Sequence, residues 1–312
     1  MQALTGYQYG GPKQLRLENV DEPKPEKGQL LVRVLACGMN LSDWETLTGR
    51  PLYARIEGLI RPRQPIPGSD VVGEIISLGP NVENWSVGQR VWADVVMHGK
   101  GGFAEKAVLP VDRLAALPKG LDAITAAALP QSGSIALAAT KGLQKDQRVL
   151  VNGAGGGSGT LILQLARHAG AYVVAVDSAK KAPMMKRLGA NQTIDSGKTD
   201  FTQTGQTWDH IIDLVASRPV WRVRRCLSAD GKYVVFGGRV SAMLSALILP
   251  HCCVGAAEGT PAILDQLGRI AIDGGLKPEL TSICLSEAIS GLAAIGERKI
   301  QGKLVVVPTA QL

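Results

Sequence analysis

The segment from Arg148 to His168 reads R-V-L-V-N-G-A-G-G-G-S-G-T-L-I-L-Q-L-A-R-H. Gly153, Gly156 and Gly159 recur at a fixed spacing, with Gly155 and Gly157 between them and Ser158 inside the run. Glycine permits a tight turn, lets a pyrophosphate approach main-chain N–H groups, and allows a helix to pack closely on the preceding strand. Val149, Leu150 and Val151 form a short apolar run of the kind found in buried parallel strands. A helical run, Thr160 to His168, follows, with Leu161, Leu165 and Ala169 on one face. The N-terminus of that helix would offer N–H donors and the positive end of a dipole to a diphosphate. Any flexible turn can use glycine, but a strand before it and a helix after it supply the context of a dinucleotide cradle.

A second apolar run, Tyr172 to Val176, ends at Asp177, 18 residues beyond Gly159. A carboxylate at the tip of the second strand is placed to grip adenosine ribose hydroxyls. Gln192 to Asp195, His210 to Val215 and Tyr233 to Phe236 read as further strands, the last followed by Gly237-Gly238. Ligands of open parallel sheets bind at the carboxyl ends of the strands, which directs Val215, Ala216, Phe236 and Gly237 toward the cofactor, although each would serve equally as core or turn.

These residues need a scaffold, and the texture of the chain divides it in three. Residues 1–118 carry short apolar runs punctuated by glycine and proline (Leu30 to Ala36, Val71 to Leu78, Arg90 to Val96, Phe103 to Leu109), which predict a β-rich unit. Residues 119–259 alternate apolar runs with helical segments, the pattern of βαβ units and a parallel sheet. Residues 260–312 hold two helical stretches, Pro261 to Asp273 and Ser286 to Glu297, then a strand-like Gly302 to Val307 that most naturally returns to the first unit. The predicted fold class is therefore α/β: a Rossmann-type doubly wound parallel sheet plus a β-rich domain formed from residues 1–118 and 260–312.

Composition narrows the function classes. Hydrophobic residues make up 45% and charged residues 20% of the 312, which suits an ordinary globular core. The longest apolar stretch, Ser241 to Val254, is broken by Pro250 and His251, so no membrane span is expected. Met1 to Gly6 lacks a basic segment leading into an apolar one, so a soluble cytoplasmic protein is expected. Cys37, Cys226, Cys252, Cys253 and Cys284 are odd in number, and no Cys-x-x-Cys occurs, which argues against a disulfide framework and a cysteine zinc site. The net charge of +7 comes from dispersed residues, with few aromatics to stack bases. It suits an anionic cofactor better than nucleic acid.

Six markers then occur in one order: Pro67-Gly68-Ser69-Asp70-Val71-Val72-Gly73, Val87-Gly88-Gln89-Arg90-Val91, Gly101-Gly102-Phe103-Ala104-Glu105, Ala126 to Pro130, the glycine loop, and Leu188-Gly189-Ala190. With them the sequence resembles the medium-chain dehydrogenase/reductase superfamily, in its zinc-free quinone-oxidoreductase-like branch. The resemblance implies a GroES-like catalytic domain, a Rossmann cofactor domain, and an active cleft at their junction. Where zinc members carry a first cysteine ligand, this chain offers Asn40. Where they carry Gly-His-Glu it has Gly68-Ser69-Asp70, and the third ligand region is Leu129 to Ser132. Amide and hydroxyl groups are poor ligands for zinc, so a metal-free reaction is expected.

Without a Lewis acid, the charge created by hydride transfer must be stabilised by hydrogen bonds. That favours quinones and conjugated enones, whose delocalisation already spreads the charge. In similar proteins the residue matching Asn40 lies beside the nicotinamide. Asp43 belongs to the same turn, Trp44 could wall the pocket, and Tyr53 could donate from its hydroxyl; Asp43 could equally cap a helix starting near Trp44. For the coenzyme, Asp177 favours NAD(H), whereas Ser178 and Lys181 match positions that hold the extra phosphate in NADPH-using relatives. The balance points to NADH, with dual use open.

The expected activity is reduction of a carbonyl, quinone or enone by NAD(H) or NADP(H). The alternatives are an enoyl-thioester reductase and a dinucleotide-binding sensor with little turnover. The resemblance also implies a homodimer joined through Leu247 to Gly255 as an edge strand.

Overall fold

The change of texture along the sequence becomes two large sheets of opposite character, beside a small two-stranded one, in the computed structural model, which describes residues 1–56, 58–99 and 101–308. The first part of the chain supplies β1 (Gln2–Thr5), β2 (Arg16–Asn19), β3 (Gln29–Met39), α1 (Leu41–Thr48), β4 (Asp70–Leu78), β5 (Arg90–Asp94), β6 (Lys106–Pro110), β7 (Leu114–Ala116) and α2 (Ala123–Ala127). After α3 (Pro130–Thr140) come β8 (Arg148–Asn152), α4 (Gly157–His168), β9 (Tyr172–Asp177), α5 (Ala182–Arg187), β10 (Gln192–Asp195), β11 (Trp208–Asp213), α6 (Val220–Arg224), β12 (Leu227–Val235), α7 (Val240–Ile248) and β13 (Cys252–Val254). The tail adds α8 (Pro261–Ile272), β14 (Leu280–Cys284), α9 (Ala288–Gly296) and β15 (Lys303–Val307). No helix among the described residues is long and apolar enough to cross a membrane.

Two compact units result, residues 1–134 with 258–312, and residues 135–257. In the first, the strand order is β14-β15-β3-β4-β5-β7, with β6 on the outer half of β3. The tail strand β15 pairs antiparallel with β3, setting Leu304 beside Met39 and Val306 beside Cys37. Register then carries Gly38 to Asp70 and Asp70 to Asp94. One end of this sheet therefore lines up the start of β15, the exit of β3, the start of β4 and the end of β5. Leu30, Val32, Val71, Ile75, Val91 and Phe103 fill the core beneath.

The second unit is wholly parallel, in the order β10-β9-β8-β11-β12-β13. Numbered from β8, that is 3-2-1-4-5-6, the doubly wound order with its switch point between β8 and β11. Val149 to Val151 and Val173 to Val176 are buried, as strands covered by helices on both faces must be.

Some boundaries differ from the sequence reading. Helix α4 starts at Gly157 rather than Thr160, so Gly157, Ser158 and Gly159 form its first turn. Helix α1 starts at Leu41, ahead of Trp44, because Asn40 is its N-cap. Leu247 and Ile248 close α7, leaving only Cys252–Val254 as edge strand. The strand β14 was not foreseen: its residues are intermediate or exposed, so they lack a regular apolar period. Residues 119–134 join the first unit, since α2 buries Ala126 and Ala127.

The join between α2 and β3 depends on Gly38, where a Cβ would run into the Ala127 carbonyl oxygen and come within 3.1 Å of the Asp70 Cβ. Overpacking of this kind costs about 1–3 kcal/mol. Gly38→Ala is expected to lower the unfolding free energy by that amount, read by circular dichroism as a lower urea midpoint at unchanged m-value.

Candidate active site

The glycine turn between β8 and α4 is built by close approach. Gly153 takes a φ of 87°, a left-handed conformation that favours glycine, and its N–H donates to the Val176 carbonyl at 2.9 Å. A Cβ on Gly159 would come within 2.7 Å of the Ala154 main chain, so the helix can meet the turn that follows the strand this closely only without a side chain there. Gly156 is the N-cap of α4. The first intrahelical bond runs from Thr160 N–H to the Gly156 carbonyl at 2.9 Å, so the amides of Gly157, Ser158 and Gly159 precede the ladder. This is a first-turn array suited to a diphosphate.

Asp177 closes β9 beside this turn. Its Oδ2 accepts from Gly155 N–H at 2.9 Å and its Oδ1 from Ser178 N–H at 2.8 Å. Lys181, 5% exposed, brings Nζ to 3.2 Å from Oδ1. The structure thus unites Gly155, Asp177, Ser178 and Lys181 in one constellation. Across the switch point Asp213, fully buried at the end of β11, accepts from Asn152 Nδ2 at 2.7 Å, Val215 N–H at 2.9 Å and Ala216 N–H at 2.8 Å through Oδ1. Its Oδ2 accepts from the Tyr233 hydroxyl at 3.0 Å, and burial together with this carboxylate pushes the tyrosine well above its usual range. Asp213 therefore fixes the turn containing Val215 and Ala216, the latter at φ 44°. Phe236 N–H is held by the Asp213 carbonyl at 2.9 Å, and Gly237 turns at φ 73°. Asp213 and Asn152 escaped the sequence reading, although acid and amide residues ending apolar strands were a visible signal.

In the first unit the end of the sheet carries a buried polar cluster. Asn40, Ser69, Asp70, Ser132 and Lys303 are each at most 5% exposed. Lys303 Nζ donates to Asp70 Oδ2 at 3.0 Å, to Ser132 Oγ at 3.1 Å and to Asn40 Oδ1. Asn40 Nδ2 donates to Ser69 Oγ at 3.3 Å. Asp70 Oδ1 accepts from Gln131 N–H at 3.2 Å, and Gln131 in turn accepts from the Ser42 hydroxyl at 3.0 Å. Asp43 is fully buried and spends its oxygens on main-chain groups, Oδ2 on Asn40 N–H at 2.8 Å and Oδ1 on Gly68 N–H at 3.1 Å. It joins the α1 cap to the β4 entry and so sets the Asn40 turn.

Tyr53 stands apart, 36% exposed, its hydroxyl donating to Glu45 Oε1 at 3.3 Å. Burial and then the Glu45 charge push the phenol up to about 12, while burial lifts Glu45 to about 7; a phenol so raised is a poor acid. Trp44 packs on the core, where Gly296 leaves room for its indole.

The donors at the three places where zinc members hold metal do not fit zinc. They are an amide and hydroxyls rather than thiolate or imidazole, and they converge on an ammonium already paired with Asp70. Among the described residues no group of three or more His, Cys, Asp or Glu could hold a metal ion. Lys303 was invisible as a site residue, since it reads simply as the first residue of an apolar strand.

Asp94, 4% exposed, flanks the cluster, accepting from Val96 N–H at 3.1 Å and Gly259 N–H at 3.3 Å. Burial, then Asp70, raise its carboxyl to about 7, partly offset by those two amides and Lys303. In the unfolded chain an aspartate ionises near about 4. The folded state therefore holds an extra proton between these values, and stability is lost as pH rises toward 7. Asp94→Asn removes this loss: from pH 5 to pH 8 the variant is expected to gain stability relative to the parent, read by urea titration at each pH.

Comparison with known proteins agrees with this geometry. The family model for the GroES-like domain of alcohol dehydrogenase matches residues 26–119, and the model described as zinc-binding dehydrogenase matches residues 157–257. A chloroplast envelope quinone oxidoreductase homolog of Arabidopsis thaliana is 31% identical, over 99% of this chain and 98% of its own. The chloroplastic NADPH-dependent alkenal/one oxidoreductase of Arabidopsis thaliana is 28% identical, over 99% of this chain and 80% of its own. The solved structure of the quinone oxidoreductase from Coxiella burnetii superposes with a TM-score of 0.89 at 27% identity, covering 99% of each chain. With both domain models in sequence order, and with relatives matched from end to end, the chain belongs to the medium-chain dehydrogenase/reductase superfamily, in its quinone-oxidoreductase-like branch.

Proposed function

We propose that this protein is an NAD(P)H-dependent oxidoreductase that reduces quinones and α,β-unsaturated carbonyls without zinc. The observation that carries the reading is the glycine turn at the switch point of a 3-2-1-4-5-6 sheet, with Asp177 and Lys181 at the neighbouring strand tip. When bound, the reduced nicotinamide supplies hydride. The amides of Gly157, Ser158 and Gly159 bind the diphosphate, and Asp177 receives the adenosine ribose. Asn40, beside the nicotinamide by family resemblance, gives an N–H to the substrate oxygen as it gains charge. The set at Asn40, Ser69 and Ser132 supports a zinc-free site because its cation is Lys303. Relatives named for quinone and alkenal/one substrates support the substrate class.

Within this reading NADH is the preferred coenzyme. The Asp177 carboxylate faces the glycine turn, where it would repel a ribose 2′-phosphate, and the Lys181 charge is already paired. The reading extends to a homodimer. Strand β13 ends the sheet within the chain, and the adjoining α7 exposes Leu244, Leu247 and Ile248.

Oxidation of NADH by naphthoquinone, phenanthrenequinone and a simple enone is expected, followed by coenzyme absorbance, in protein whose elemental analysis shows less than stoichiometric zinc. Tight coenzyme binding with no oxidation of any acceptor would instead favour the binding-protein alternative. Asp177→Ser frees Lys181 for a phosphate and is expected to raise the NADPH/NADH ratio of kcat/KM about tenfold or more, equivalent to about 1.4 kcal/mol, in steady-state assays.

A further inference from the structure

The first unit buries a positive charge that phosphate binding and hydride transfer do not require. Lys303 is 4% exposed. Its ammonium has three N–H donors and no acceptor, and they meet three acceptors, on Asn40, Asp70 and Ser132. A buried ion pair of this kind is a weak source of stability, because apolar residues of similar volume commonly do as well. Its consequence falls on Asn40.

A carboxamide has an acceptor end and a donor end of nearly the same shape, and its partners decide which end faces where. Lys303 can accept nothing, so it can take only Oδ1 of Asn40. That leaves Nδ2 on the opposite side, with one N–H on Ser69 Oγ at 3.3 Å. The other N–H has no partner among the described residues. Asp43 meanwhile holds the main-chain N–H of the same residue at 2.8 Å, so the turn cannot swing to reverse the amide.

We propose that Lys303 is a positioning residue that fixes the polarity of Asn40, so that this amide offers N–H rather than C=O to the reacting group. A site with a fixed donor there favours acceptors whose oxygen becomes more negative as hydride arrives, which is the character of quinones and enones. The inference rests on the reading of Asn40 above. Removing Lys303 leaves the acceptor end of the amide facing only the Asp43 main-chain N–H of the capping box, a neutral donor in place of a charged one. The amide can then turn, and part of the population presents an acceptor that repels the developing charge.

The test uses Lys303→Met combined with Asp70→Asn, which removes cation and anion together and leaves no buried charge unpaired. In the ligand-free protein the Asn40 Nδ2 protons are expected to show nuclear Overhauser contacts to the Ser69 side chain, and the double variant to lose them. Contacts unchanged in a folded double variant would overturn the proposal. This arm needs no turnover, so it decides the role of Lys303 even if no acceptor is reduced. In kinetics with NADH and a quinone, the double variant is expected to lose kcat by a factor between about twofold, for an amide turned half the time, and about 100-fold, the scale of one wholly lost oxyanion donor, with the Kd for NADH unchanged. Asn40→Ala is expected to lose about 100-fold, and the triple variant no more than Asn40→Ala alone, since both changes act on the same donor. Additive losses, or a double variant with parental kcat, would overturn the proposal.

Discussion

The ammonium of Lys303 among Asn40, Asp70 and Ser132 ties together segments far apart in the chain. The lysine opens β15 in the tail, Asn40 follows β3 and caps α1, Asp70 opens β4, and Ser132 lies near the start of α3. A buried charge without partners would cost several kcal/mol. The tail strand must therefore seat with Leu304 beside Met39 for the cluster to close, and once closed it holds the register that lines up Gly38, Asp70 and Asp94. The carboxyl of Asp94 shows the electrostatic limit of this arrangement. One ammonium serves Asp70 directly, and the second acid nearby keeps its proton to about neutral pH.

The second unit solves a different problem by similar means. Its glycine turn brings main-chain donors into the open by removing side chains from the contact between α4 and the turn that follows β8. Two carboxylates then fix what surrounds that turn. Asp177 holds Gly155 and Ser178 on one side of the switch point, and Asp213 holds the Val215–Ala216 turn on the other. Each acid accepts from main-chain N–H groups, so the loops keep their shape without large side chains filling the crevice.

Much of this was legible in the residues. The alternation of apolar runs and helical stretches announced the parallel sheet, because strands covered on both faces must be apolar throughout and crossovers need helices between them. Glycine spacing announced the turn, since close approach leaves no alternative residue. Local boundaries were less clear. Helix α4 absorbs Gly157 to Gly159, residues whose low helix propensity argued for loop. Strand β14 went unseen because its half-exposed residues carry no clean period. Asp43, read either as chemistry or as a cap, spends both oxygens on main-chain N–H groups.

By itself the sequence determined the two kinds of unit, the place and form of the glycine turn, and the presence of an acid and lysines at the next strand tip. Periodicity and steric demand are local properties and can be read within a window of residues. Only the tertiary structure decided what meets Asn40. Lys303 lies 263 positions away from it, and nothing in the local pattern of an apolar strand tells whether its first lysine reaches solvent or turns inward to an acid. That choice depends on which strands become neighbours and in which register, and it is settled when burial leaves the ammonium no partner but the groups at the end of the sheet.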